Sequence, residues 1–198
     1  EDYKGKYTPV QAKLIKSINE KRHFSFSSPT STGKSFVFRH IVTRYKKDIA
    51  IIVPSRALIN EYYITLNDMF KNTDTNILTY VDLINRKRVK RRIFVITPER
   101  SKDLFKNKDQ LDIDVILFDE AQLSDDYSVR GLYYDSVIRR CVTYFPNSKL
   151  VFAYPFIDNP EVQYVKNRIE YDQEDFQKFT QRNVGQIFYS YKDTQFFH

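Results

Sequence analysis

Ser28 to Ser35 reads SPTSTGKS, preceded by the alternating aromatics Phe24 and Phe26 and followed by the helical stripe Val37, Ile41 and Tyr45. A strand, a loop of small residues and a helix in that order make a phosphate cradle. Residues as small as Thr30, Ser31, Thr32 and Gly33 let backbone N–H groups turn inward around phosphate oxygens, and the helix N-terminus adds the positive end of its dipole. Lys34 has the reach to meet the outer phosphates, and the Ser35 hydroxyl suits Mg²⁺. Ser28 stands where the general pattern has Gly. Taken alone, the stretch has a plain alternative, a Gly-Lys-Ser turn capping a helix.

The second chemical feature is the apolar run Val115 to Phe118, which ends in Asp119, Glu120, Ala121 and Gln122. At the carboxyl end of a parallel strand these acids fall on the ligand-binding edge of the sheet, the edge that also carries the phosphate loop. An aspartate there can hold Mg²⁺ through water, and the adjacent carboxylate can orient and deprotonate an attacking water. An acidic helix N-cap is the alternative for Asp-Glu by itself, and an upstream phosphate loop disfavours it.

Positioning these groups requires alternating strands and helices. Val10, Leu14 and Ile18 after Pro9 predict a helix from about Pro9 to Lys21, and Leu58, Tyr62, Leu66 and Phe70 predict another. Ile49 to Val53, Ile77 to Thr79, Ile93 to Thr97, Val115 to Phe118 and Leu150 to Ala153 read as buried strands, with a helix near Leu132 to Tyr144. The expected fold is α/β, one doubly wound, mainly parallel sheet with helices on both faces. Past Glu170 the pattern weakens into the charged, amphipathic stretch Tyr171 to Arg182 and a strand-like run, Gln186 to Tyr191.

At 198 residues and 41% hydrophobic content the chain excludes a disulfide-stapled miniprotein and a disordered segment. No apolar run approaches the roughly 20 residues of a membrane helix, and no signal-peptide pattern opens the chain, so neither insertion nor secretion is expected. Glu1 in place of methionine suggests a trimmed first residue. The lone Cys141 forms no internal disulfide, and the scattered His23, His40 and His198 make no zinc cluster with it, so a cytoplasmic, reducing location is expected. A net charge of +7 favours a polyanionic partner.

Further stretches accompany the loop and the acid pair: Tyr7 to Gln11 (YTPVQ), Val53 to Leu58 (VPSRAL), Thr97 to Arg100 (TPER), Arg130-Gly131 with Asp135 to Val137, and Asn159 to Glu161 (NPE). In this order they resemble the first RecA-like, P-loop domain of a superfamily 2 helicase, in the DExH branch nearest the Ski-like enzymes. The resemblance spans residues 3 to 190. It implies ATP with Mg²⁺ as cofactors: Tyr7 and Gln11 at the adenine, Thr30 to Ser35 at the phosphates, Ser35 and Asp119 at the metal. Lys34, Asp119, Glu120 and Gln122 would form the catalytic group, with Gln122 where the family more commonly has His.

DNA or RNA would be gripped through its backbone by Ser55, Arg56, Thr97, Glu99 and Arg100, as helix N-termini, hydroxyls and arginines grip phosphates. Residues 1–182 would form RecA-like domain one, and 183–198 the start of a crossing into a second RecA-like domain missing from this chain. The isolated chain would then be a poor ATPase. Tyr154, Pro155 and Phe156 replace the Ser-Ala-Thr that couples hydrolysis to strand movement in the family. The basic run Asn85 to Arg92 is balanced between a solvated face and a nucleic-acid contact. Two other functions stay open: a nucleic-acid-binding module with degraded hydrolysis, and an unrelated P-loop NTPase.

Overall fold

The computed structural model describes residues 9–27, 34–81, 83, 90–155, 159–171, 176–178, 190–192 and 195–197. Its elements run α1 (Pro9–Glu20), β1 (Phe24–Ser27), α2 (Lys34–Arg44), β2 (Asp48–Ile52), α3 (Arg56–Phe70), β3 (Thr75–Leu78) and β4 (Arg91–Ile96). They continue with α4 (Lys102–Lys106), β5 (Ile113–Phe118), α5 (Val129–Tyr144), β6 (Lys149–Tyr154), α6 (Val162–Asn167), β7 (Phe176–Lys178) and a hairpin of β8 (Ser190–Lys192) with β9 (Gln195–Phe197).

β1 to β7 form one sheet in the order β3-β4-β2-β5-β6-β1-β7, with every neighbouring pair parallel. Side chains along a strand alternate between faces, and both faces here are covered. Ile49 and Ile51 pack with Leu14, Val37 and Ile59 of α1, α2 and α3. Ala50 and Ile52 join Leu104, Tyr134 and Tyr164 of α4, α5 and α6. Two-sided burial explains why the strands read as continuous apolar runs, and this is the doubly wound, RecA-like α/β fold expected.

β6 lies between β1 and β5, with Ser27 opposite Tyr154 and Phe118 opposite Phe152. The chain therefore leaves β1 toward the phosphate loop, and β5 toward the acid pair, on the same edge of the sheet.

Three departures have physical causes. Phe176–Lys178, inside the stretch expected to be amphipathic, adds a seventh strand beside β1. Three residues are too few to show a period, and Phe176 is anchored instead by the rings of Tyr164 and Tyr171, at 5.0 and 5.1 Å. The short helices α4 and α6 carry too few turns to display a stripe. At the described end of the basic run, Arg91 and Arg92 are tied into the fold: the Arg91 guanidinium donates to the carbonyls of Val42 and Lys47, and Arg92 pairs with Asp48 at 2.5 Å. Both sit at the amino end of β4, opposite the edge where Thr97 to Arg100 begin.

Candidate functional site

Lys34 is the first residue of α2 and is buried. Its ammonium donates to Oδ1 of Asp119 at 3.3 Å and to Oε1 of Glu120. Residues far apart in sequence thus meet because β1 and β5 end together. Burial works against the Lys34 charge, but Asp119 and Glu120 outweigh it and hold the ammonium above its usual pKa. For Asp119 burial dominates, and with the Glu120 charge it raises the carboxyl above the usual range despite the pull of Lys34 and Tyr62.

The backbone turns sharply at the acid pair. Glu120 sits in the left-handed region, φ 56° and ψ 45°, which a residue with a Cβ enters only at a cost. That turn lets its N–H donate to Oδ1 of Asp119 at 3.0 Å and leads the chain into the 3-10 turn Ala121–Asp125. Gln122 donates from Nε2 to Oε2 of Glu120 at 2.7 Å. Its buried Oε1 has no hydrogen-bond partner among the described residues.

The donor set fits a magnesium ion. Mg²⁺ favours one or two carboxylates completed by water and substrate phosphates over an all-protein cage. Asp119 and the exposed Ser35 supply that chemistry, and the described residues hold no cluster of three His, Cys, Asp or Glu that would make a cage. Tyr7, the side chain of Gln11, and Thr30, Ser31, Thr32 and Gly33 lie outside the described residues. So does Phe156, whereas Tyr154 is fully buried in the sheet.

One functional contact escaped the sequence reading. Tyr62, whose spacing in the α3 stripe is that of a packing residue, donates its phenol to Oδ2 of Asp119 at 3.0 Å. Its signal was the hydroxyl itself, since a phenol placed in an apolar stripe needs an acceptor. Burial and the neighbouring Asp119 push the phenol far above its usual pKa, so it stays a donor. Together Lys34, Ser35, Tyr62, Asp119 and Glu120 line a cavity of about 300 Å³.

A second concavity, about 440 Å³, lies on the other side of α3. Arg56 and Arg100 both line it, together with Asn60, Tyr63 and Tyr80. Arg100 is aimed by its donation to the Thr79 carbonyl at 2.8 Å. Ser55 caps α3, its side chain accepting from the Leu58 N–H at 3.2 Å. Thr97 is buried and does not line the groove, and the exposed Glu99 stands 3.9 Å from Arg130. Of the five residues expected to grip nucleic acid, the two arginines are therefore brought together, and Thr97 is buried at the head of the 3-10 turn Pro98–Ser101.

A family model described as DEAD/DEAH box helicase matches residues 8–153, which hold the described Lys34, both acids and both groove arginines. No curated protein matches the sequence. No helix among the described residues is long and apolar enough to cross a membrane.

Proposed function

The chain belongs to the DEAD/DEAH box helicase family, and on that premise we propose that it is the ATP-binding half of a nucleic-acid-dependent ATPase, a helicase or translocase of the Ski-like, DExH branch of superfamily 2. The observation that carries the reading is the ion pairing of Lys34 with both Asp119 and Glu120. On binding ATP, Lys34 exchanges these carboxylates for phosphate oxygens, and the released Glu120 is free to accept a proton from water. Bound Mg²⁺ would neutralise phosphate charge, held by Ser35 and by Asp119 through water. Gln122 orients Glu120 through its 2.7 Å hydrogen bond. Tyr7 and Gln11 recognise adenine, and Thr30 to Gly33 wrap the phosphates with Lys34 and Ser35.

DNA or RNA lies along the groove, its phosphates on Arg56 and Arg100, with Ser55, Thr97 and Glu99 at its margin. Binding through phosphates is sequence-independent and falls steeply with salt. A second RecA-like domain, closing over the nucleotide from the crossing that starts at 183–198, supplies the charge that stabilises the transferring phosphate. The protein works in the cytoplasm.

Calorimetry with ADP and Mg²⁺ tests the site: Lys34→Ala loses a charge-assisted contact and weakens binding by about 1.5 to 3 kcal/mol. Equal affinity for variant and wild type excludes the loop. A phosphate-release assay tests the domain arrangement, with this chain slower than a longer one carrying a second RecA-like domain.

A further inference from the structure

Helix α3 stands between the two concavities. Leu58, Tyr62 and Thr65 line the cavity beside Lys34 and Asp119, whereas Arg56, Asn60 and Tyr63 line the groove. Each trio has helical spacing, and the two are offset by two residues, about 200° around the helix. One helix therefore presents opposite faces to the two ligand sites.

Tyr62 joins α3 to the chemistry. The two oxygens of Asp119 are divided between donors: Oδ1 receives Lys34 and the Glu120 N–H, and Oδ2 receives Tyr62. When Lys34 turns to phosphate, Oδ1 keeps a donor from its own turn, and the carboxylate plane is set from outside that turn by Tyr62. Packing alone does not call for the hydroxyl. The ring lies 5.5 Å from Phe38, a contact that phenylalanine would make equally well.

We propose that Tyr62 is a positioning residue that couples the groove to the acid pair, so that nucleic acid seated on one face of α3 resets the Asp119 carboxylate on the other. The proposal rests on the functional reading above and gives it a route that does not need the altered Tyr154 segment. Tyr62 acts through Asp119.

The test uses the chain itself and a fluorescent ADP analogue, titrated with Mg²⁺ with and without a single-stranded oligonucleotide. In Tyr62→Phe the Mg²⁺ midpoint for nucleotide binding rises about tenfold, the loss typical when the partner of a metal-holding group is removed. The effect of the oligonucleotide on nucleotide affinity, present in the wild type, disappears. Oligonucleotide affinity stays at the wild-type value, which a general loosening of the fold would lower, while the lost hydrogen bond to Asp119 lowers the melting temperature by a few degrees. An unchanged Mg²⁺ midpoint or an unchanged oligonucleotide effect overturns the proposal.

A second probe does not depend on the variant. 3-Fluorotyrosine at position 62 keeps the hydrogen bond, and its ¹⁹F resonance shifts on oligonucleotide binding; a resonance unmoved at saturation also overturns the coupling. A wild-type chain whose nucleotide affinity ignores the oligonucleotide overturns the functional reading instead, and the Mg²⁺ titration tells that result apart from a failure at Tyr62.

Discussion

The buried phenol of Tyr134 donates to the main-chain carbonyl of Asp119 across 2.6 Å. The acidic turn is thereby tied to α5 from one face of the sheet, as its carboxylate is tied to α3 from the other. Burial pushes the Tyr134 hydroxyl well above its usual pKa, so it remains a donor at every working pH. Tyr134→Phe keeps the ring and leaves that carbonyl without this partner, which costs about 1–3 kcal/mol. Urea denaturation measures the loss, and a variant as stable as wild type would remove the tie from the account.

Glu120 makes a different claim. Its left-handed backbone is a strain that glycine does not feel, so Glu120→Gly should be more stable than Glu120→Ala by about 1 kcal/mol. Both variants lose the carboxylate and the ion pair with Lys34, so their difference isolates the backbone. Equal midpoints in urea would show that the turn is not strained.

Gly131 answers a packing question. A Cβ built there meets the Asp126 carbonyl oxygen at 2.0 Å and the Leu123 carbonyl oxygen at 2.8 Å, both main chain. Neither atom can swing aside as a side chain would. Gly131→Ala should therefore displace the turn after the acid pair, cost about 1–3 kcal/mol and weaken nucleotide binding with it. Wild-type melting temperature and nucleotide affinity in this variant would count against the close approach.

Much of the framework could be read from residue types because burial on both faces leaves an unbroken apolar run, as at Ile49 to Val53 and Val115 to Phe118. The start of α5 was harder. Val129, Leu132 and Tyr133 are exposed, so the stripe begins late, and the helix opens at Val129 behind its Ser128 cap, ahead of the Leu132 that periodicity indicates. In the site, residue types and strand order sufficed to bring Lys34, Asp119 and Glu120 to one edge of the sheet. The geometry that joins them did not show, because a left-handed φ at Glu120 has no glycine to announce it. Tyr62 was hidden for a related reason: its spacing is that of a packing residue, and its acceptor lies on another strand. Thr97 carried the right hydroxyl, but its burial depends on how the turn at Pro98 folds back.

The last prediction concerns alkaline pH. Cys141 is fully buried, and burial pushes its thiol well above its usual pKa. An unfolded thiol ionises near about 8.5. Between that value and the higher native one, the native state holds a proton that the unfolded state has released. The contribution of Cys141 to stability is therefore complete below about pH 8.5 and is lost as pH rises, at up to about 1.4 kcal/mol per pH unit. Buried phenols at Tyr62, Tyr134 and Tyr154 are raised in the same direction and join in from about pH 10. Wild-type unfolding free energies measured in urea should fall between pH 8.5 and 10, and Cys141→Ala should flatten that part of the curve while leaving the steeper fall above pH 10. In parallel, a thiol reagent at pH 8 should label the wild type no faster than the protein opens. Rapid labelling under native conditions, or an unchanged slope in Cys141→Ala, would mean that α5 does not seal the thiol against the sheet.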